Sequence, residues 1–538
     1  MTDDLTAGVA DRVADGVPDT IPGLLRAAAE QHVDRVWLRD DDGTQTFDGA
    51  QAVVLETAAA LRELGVARGD LVVLTPRPTP AWLLAWLAVT SLGALAVPTD
   101  PTARSAELGG LLAQTHPRLV VTDDAARDTV AEAVTASATV PGVVQLADVV
   151  GDWRRRAVGG SAHASSLPDL TGDDLAVLLP TSGTTGRSKL VMQTHRTYAW
   201  AGEGFPWWMG ITAEDRMMTA LPFFHVNALA YSSLGSLACG AELVLLPRFS
   251  ASGFLDAARR HGATQFNAIG AMLEFLWRQP ARADDADNPL RLCYTGPSPE
   301  RAWQEAFEQR FGLRIVCGYG LSESTYGLIW RHGTRPFGTL GSLRQHPRLG
   351  NVNQGRVIDD EGHDVAVGDT GELLLRNPTV TPGYWQMPDV TAQTLRDGWL
   401  HTGDLVTVND DETFTFVARR KEVLRRRGMN LSPAEVEETV AAHPDVLEVA
   451  VVGVPSEVTE EEVKAFVVPR PGSHVDFAAL HAWTAERLSA FKVPRYWQSL
   501  DSLPRTPTAR VAKHRLPTGH PDDEYDAKAP PTNLGAAP

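Results

Sequence analysis

LAVLLPTSGTTGRSK, running from Leu175 to Lys189, joins a short apolar run to a loop of hydroxyls and glycines that ends in a lysine. The run Leu175 to Leu179 has the length and composition of a buried strand, and Pro180 predicts the point where regular pairing stops. Ser182, Thr184 and Thr185 then supply hydroxyls, while Gly183 and Gly186 let backbone amides turn toward an anion. Lys189 adds a mobile positive charge. This is the chemistry of a phosphate cradle. The spacing differs from GxxxxGKS/T, so the P-loop of the common nucleoside triphosphatases does not apply. A plain flexible loop shares this composition, so the reading depends on the rest of the chain.

Working outward, short β-rich runs alternate with helical patterns from about residue 46 to 400. Candidate strands are Leu71 to Thr75, Leu119 to Thr122, Leu243 to Leu246, Leu292 to Thr295 and Ile315 to Cys317. Such alternation predicts an α/β fold with largely parallel sheets, more than one in number. Ala81 to Pro98 is the longest apolar stretch. It is interrupted by Thr90, Ser91 and Gly93 and falls short of the ~20 residues of a membrane span, which predicts a buried helix followed by a strand. Gly159 to Ser166 reads as an exposed connection into the phosphate loop.

Composition excludes several classes. The chain has 538 residues, 43% of them hydrophobic, and a net charge of -18. It is too apolar to be mostly disordered and too acidic for an extended nucleic-acid or anionic-membrane footprint. Cys239, Cys293 and Cys317 have no metal-ligand spacing, and their odd, sparse count makes no disulfide framework. An acidic N-terminus without a basic-then-apolar order predicts no signal peptide. The expected location is the cytoplasm.

Near Arg419 the character changes. ARRKEVLRRRG, strongly basic in an acidic protein, reads as a hinge. After it, Ser432, Pro433, Ala434 and Glu435 predict a capped helix toward His443. Strands at Leu447 to Val454 and Val463 to Val468 and a helix over Phe477 to Leu488 follow. The expected organisation is a flexible N-terminus (1–20), a large domain of layered, mostly parallel sheets (21–418), a hinge (419–422), a small mobile α+β domain (423–516) and a disordered tail (517–538).

The phosphate loop, GYGLSEST, GWLHTGD, the basic hinge and LPRTPTARVAK form an ordered series that resembles the adenylate-forming enzymes over roughly residues 20 to 516. MTALPFFHVNA and RRGMNLSPAEVE look most like ligases of the carnitine and crotonobetaine type. The resemblance implies ATP, Mg²⁺ and CoA as cofactors and co-substrates, a small organic acid as substrate, and a small domain that rotates between two half-reactions. A homodimer is left open, and a place in secondary metabolism is an expectation.

By the same resemblance, Thr181 to Gly186, with Lys189, hold ATP, and Thr184 and Glu323 hold the metal. Tyr319, between Gly318 and Gly320, offers a flat face to adenine, with Ser322 beside Glu323 and Gly296 nearby. A carboxylate suits Mg²⁺ as a hard oxygen ligand, and Asp404 suits the two ribose hydroxyls because it accepts two hydrogen bonds. Arg419 contacts ribose or phosphate, Glu422 is the hinge residue and Gly428 brings backbone near the CoA arm. His225 orients the carboxylate, and Asn267, Gly270 and Tyr294 belong to the acid pocket. Trp207 and Trp208 are an aromatic wall or core. No aspartate occurs between Leu221 and Ala228, which disfavours α-amino acids.

One motif departs from the family. The loop PRTxxGK, whose lysine bridges carboxylate and phosphate, here reads Pro504, Arg505, Thr506, Pro507, Thr508, Ala509, Arg510. Arginine keeps the charge but is planar and bulkier. Either Arg510 serves as the catalytic cation, Lys513 replaces it, or the enzyme activates something other than an ordinary carboxylate. The leading expectation is an acid:CoA ligase; the alternatives are a diazotase-type enzyme that adenylates nitrite for an aryl amine, and a catalytically impaired nucleotide-binding protein.

Overall fold

The computed structural model describes residues 16–137, 140–155, 167–181, 189–296, 298–419, 424–426, 429–431, 433–456, 461–473, 475–504, 511, 513, 516–517, 519–521 and 524–528. These fall into two compact units. The larger draws on 16–101, 115–181 and 189–419; the smaller on 102–114 and the residues from 424 onward.

Three sheets build the larger unit. The first runs in the order Gly142–Gln145, Leu119–Thr122, Leu71–Leu74, Leu95–Pro98, Leu175–Thr181, Lys189–Thr194. Its first five strands are parallel and the last is antiparallel. The strands over 71–74, 95–98 and 119–122 are buried at every position, as expected where helices cover both faces of a sheet. The helix Pro80–Ser91 is likewise buried almost all round. Thr79 caps it by accepting the Trp82 amide at 3.1 Å, and Pro80 presets the first turn. Ala81 to Pro98 therefore folds as a buried helix and then a strand.

Pro180 does not end the strand. Pairing continues through Pro180↔Leu190 and Thr181↔Lys189. The neighbour on the other side, Leu95–Pro98, pairs only at Ala96↔Val177, so the missing N–H falls where no ladder asks for it.

The second sheet has nine strands in the order Ser342–Leu343, Ser324–Ile329, Arg314–Leu321, Leu292–Thr295, Gln265–Asn267, Arg216–Thr219, Glu242–Leu245, Val36–Arg39, Thr44–Thr46. Its middle strands, from 314–321 to 36–39, are all parallel. The third sheet, built from 354–419, is antiparallel throughout, beyond the parallel pattern expected from alternation. Connections such as Asn409 to Thr413 are too short for a parallel crossover.

The smaller unit has a four-stranded sheet in the order Val446–Pro455, Glu461–Pro469, Tyr496–Ser499, Tyr525–Asp526, with helices Pro433–Ala441 and Phe477–Ala485. Composition marks everything beyond 516 as tail, yet Tyr525–Asp526 pairs with Tyr496 and Trp497. Arg495 holds Asp526 with bonds of 2.9 and 2.8 Å, and Glu524 pairs with the fully buried Lys464, which also donates to the Gly519 carbonyl at 2.8 Å. Charges that read as solvated are counter-ions. The Ser432 cap and residues 529–538 lie outside the described residues.

Candidate active site

Parallel α/β sheets present ligands to the carboxyl ends of their strands. In the nine-stranded sheet those ends are Thr219, Asn267, Thr295 and the segment through Leu321. Five expected site residues, Asn267, Tyr294, Gly318, Tyr319 and Gly320, lie on these strands, and Gly296, Ser322 and Glu323 immediately follow them.

Lys189 opens the strand Lys189–Thr194, and its backbone carbonyl accepts the Thr181 hydroxyl at 3.2 Å. Its ammonium lies 5.2 Å from the centre of the Tyr384 ring, within cation–π range. The Tyr384 hydroxyl in turn donates to Glu323 Oε1 at 2.7 Å. Burial and the Glu323 charge both push the Tyr384 phenol well above its ordinary range, so it remains a donor. Backbone bonds fix the same contact: Met192 N–H to Gly383 at 3.0 Å, Trp385 N–H to Leu190 at 2.9 Å, and Thr381 N–H to the Glu323 carbonyl at 2.7 Å. Gln193 donates to the Ser322 carbonyl at 2.7 Å. The lysine and the carboxylate, 134 positions apart by their numbers (323 − 189), thus meet through a tyrosine that belongs to none of the quoted motifs.

The strand Arg314–Leu321 has two working faces. On one, Tyr319 donates to Asp404 Oδ2 at 2.6 Å, and both residues are buried. Asp404 stands opposite Arg419 in the third sheet. On the other, Gly318 and Gly320 lie against phenols: a Cβ on Gly318 would come within 2.9 Å of the Tyr294 hydroxyl, and one on Gly320 within 2.9 Å of the Tyr231 hydroxyl. Gly296 is as constrained, since its Cβ would sit 2.4 Å from the Gly318 carbonyl.

Behind those glycines lies Arg344, 1% exposed. It donates to the hydroxyls of Tyr231 and Tyr294, to the Thr325 carbonyl at 2.8 Å and to the Leu328 carbonyl at 3.1 Å. Its guanidinium carbon lies 4.9 Å from the Trp208 ring and 4.8 Å from the Tyr231 ring. No carboxylate pairs with it among the described residues. No motif points to it. Trp208 is therefore core, its indole N–H bonded to the Gln345 carbonyl at 2.7 Å, whereas Trp207 is 57% exposed.

The His225 ring lies against that of Phe224, with ring centres 4.5 Å apart and planes tilted by 51°. Its Nε2 is buried without a hydrogen-bond partner, and burial lowers its pKa to about 4, so the imidazole is neutral near pH 7. Two residues on, Asn227 begins a π-helical segment, Asn227–Ser233, a geometry that recurs at functional sites. Asn227 Oδ1 accepts from Asn267 Nδ2 at 2.6 Å. Gly270 opens the helix Gly270–Trp277.

The expected residues Ser182, Gly183, Thr184, Thr185, Gly186, Glu422, Gly428 and Arg510 lie outside the described residues, as does the side chain of Arg419. Lys513 is described: it pairs with Glu437 at 2.6 Å, and Glu437 also accepts the Val451 amide at 2.6 Å. Its use in place of Arg510 would require breaking that pair. Among the described residues no group of three or more His, Cys, Asp or Glu could hold a metal, and no helix is long and apolar enough to cross a membrane.

Family models match both parts of the chain: AMP-binding enzyme over residues 25–385 and AMP-binding enzyme C-terminal domain over 435–510. A crotonobetaine/carnitine–CoA ligase from Salmonella paratyphi B is 30% identical over 476 residues, covering 86% of this chain and 90% of the relative. Among solved structures, the amide bond synthetase McbA from Marinactinospora thermotolerans superposes with a TM-score of 0.80 at 25% identity, covering 91% and 98% of the two chains. ATP-bound MatB from Rhodopseudomonas palustris gives 0.67 at 26%, covering 92% and 98%. The chain belongs to the AMP-binding, adenylate-forming enzymes.

Proposed function

We propose that the chain activates a small organic acid with ATP, forming an acyl-adenylate and pyrophosphate, and then transfers the acyl group to CoA. The observation that supports this most directly is the Lys189–Tyr384–Glu323 contact beside the Tyr319–Asp404 pair. It sets a cation against a hard-oxygen ligand through one tyrosine, and the tyrosine four positions before that ligand holds the carboxylate suited to accept ribose hydroxyls. The crotonobetaine/carnitine–CoA ligase relative supports the acid and the acceptor. The nitrite-activating and non-catalytic readings find no support among the proteins this chain resembles.

In this reading, Lys189 and the amides and hydroxyls of Thr181 to Gly186 orient the phosphates, and Asp404 accepts the ribose hydroxyls. Tyr319 presents its ring to adenine while its hydroxyl holds Asp404 in place. Adenylation of this kind depends on positioning and charge neutralisation rather than on a covalent nucleophile. Glu323, half-buried with Oε1 occupied by Tyr384, fits Mg²⁺, which takes one or two carboxylates and completes its shell with phosphates and water. Thr184 is the second candidate ligand. Bound there, the ion would neutralise charge on the phosphates.

His225 orients the acid as a neutral group, and Arg510 supplies the positive charge that a lysine usually brings. The small domain, 423–516, turns about Glu422, and CoA enters past Gly428. We place the enzyme in the cytoplasm.

Incubation with ATP, Mg²⁺ and a panel of acids, with and without CoA, tests the reading. Acid-dependent pyrophosphate and CoA-dependent AMP release are expected. Pyrophosphate formation without any acid requirement, or none with any acid, overturns it.

A further inference from the structure

The face of the nine-stranded sheet that bears Tyr294 also bears a line of amides. Side chains two apart on a strand share a face, so Gln265 and Asn267 project together. Asn267 stands opposite Tyr294 in the register. Gln265 Nε2 donates to Asn267 Oδ1 at 2.6 Å, and Asn267 Nδ2 donates to Asn227 Oδ1 at 2.6 Å. Gln265 and Asn267 are each 1% exposed, whereas Asn227 is half-exposed.

The chain of bonds is polarised. Asn267 accepts from Gln265 and donates to Asn227, so the relay ends on the unpartnered Oε1 of Gln265 on its buried side and on the Nδ2 donor of the half-exposed Asn227 on the other. Buried amides are costly to keep in an otherwise apolar setting, and the neighbouring π-helical segment is alanine, leucine and tyrosine for most of its length. A further polar atom close by in the sequence, Nε2 of His225, is buried with no partner. An orphaned buried polar atom costs roughly 1–3 kcal/mol. A purely alkyl substrate would satisfy none of these groups.

We propose that the Gln265–Asn267–Asn227 relay is the specificity element of the acid site and selects acids whose tail carries a hydrogen-bond acceptor, such as a keto group, over their alkyl counterparts. This rests on the acid-activating reading above. Asn227 meets the substrate tail, and Gln265 and Asn267 are positioning residues that fix which atom of Asn227 faces it. The inverse orientation of all three amides would present Oδ1 instead and would select a donor-bearing tail.

The test is a comparison of pentanoate, levulinate and gamma-aminobutyrate by kcat/KM for pyrophosphate release. Levulinate is expected to exceed pentanoate by about tenfold or more, the selectivity of one buried hydrogen bond. Asn227→Asp keeps the acceptor for Asn267 but replaces the donor with an anionic oxygen. It should abolish the levulinate preference and raise gamma-aminobutyrate relative to the other two. Asn267→Leu, which frees Asn227 to rotate, should bring the levulinate-to-pentanoate ratio toward one. Circular dichroism and melting curves identify any variant that fails to fold, in which case the wild-type ratios decide alone. Equal or better use of pentanoate by the wild type overturns the proposal, as does a wild-type preference for gamma-aminobutyrate, or a ratio that survives in folded Asn227→Asp. Absence of pyrophosphate with every acid instead overturns the ligase reading itself.

Discussion

The two faces of the strand Arg314–Leu321 are built on opposite plans. On the front face, that of Tyr319, a 2.6 Å bond joins Tyr319 to Asp404. On the rear face, Arg344 binds two phenols and two carbonyls among three aromatic rings, and the backbone of Gly318 and Gly320 rests on those phenols. Functional side chains need a defined position and open coordination. Here the definition comes from behind, where a buried charge held by four hydrogen bonds leaves the strand few alternative positions.

Breaking the rear face should have the largest effect. Arg344→Ala would leave two phenols and two carbonyls short of donors in a buried site, and a loss of roughly 3–5 kcal/mol is expected in urea unfolding. Gly320→Ala tests the same face more gently. Its methyl would meet the Tyr231 hydroxyl, at a cost of about 2 kcal/mol by the same measurement and with KM for ATP raised.

The front face should respond in binding rather than in folding. Tyr384→Phe keeps the ring over Lys189 and removes the donor to Glu323. Calorimetric titration should show Mg²⁺-dependent ATP binding weakened about tenfold, with metal-free ATP binding little changed. Tyr319→Phe, which removes one bond to Asp404, should cost about 1 kcal/mol or less of stability. If Tyr319→Phe were to destabilise as much as Arg344→Ala, the contrast between the faces would be lost.

Much of the fold was legible in the chain. The strands at Leu119–Thr122 and Leu292–Thr295 stand where their apolar runs place them, and the Ala81 to Pro98 stretch divides into helix and strand as its polar interruptions suggest. Local pattern was enough there, because burial on both faces leaves a continuous apolar signature. Pro180 misled because its effect depends on which neighbour the missing N–H would face, a tertiary fact.

The site divides in the same way. Tyr319, Glu323 and Asp404 sit in glycine-rich or charged segments that stand out by composition. Tyr384 and Arg344 act through partners 61 and 113 positions away, and nothing near them in the sequence distinguishes them from core residues. For Tyr384 the one local signal is Gly383 before it, whose φ of 138° only glycine adopts readily. Asn227 is similar: the resemblance singles out Asn267, and only the bond between the two amides draws attention to Asn227.

The short strand Tyr525–Asp526 bears on how the protein can be handled. Truncation at 517, the cut that composition invites, would strip an edge from the small sheet and strand the ammonium of Lys464 in an apolar interior with its anion gone. Affinity handles belong beyond 528, and a shortened version ending before it should accumulate as insoluble material.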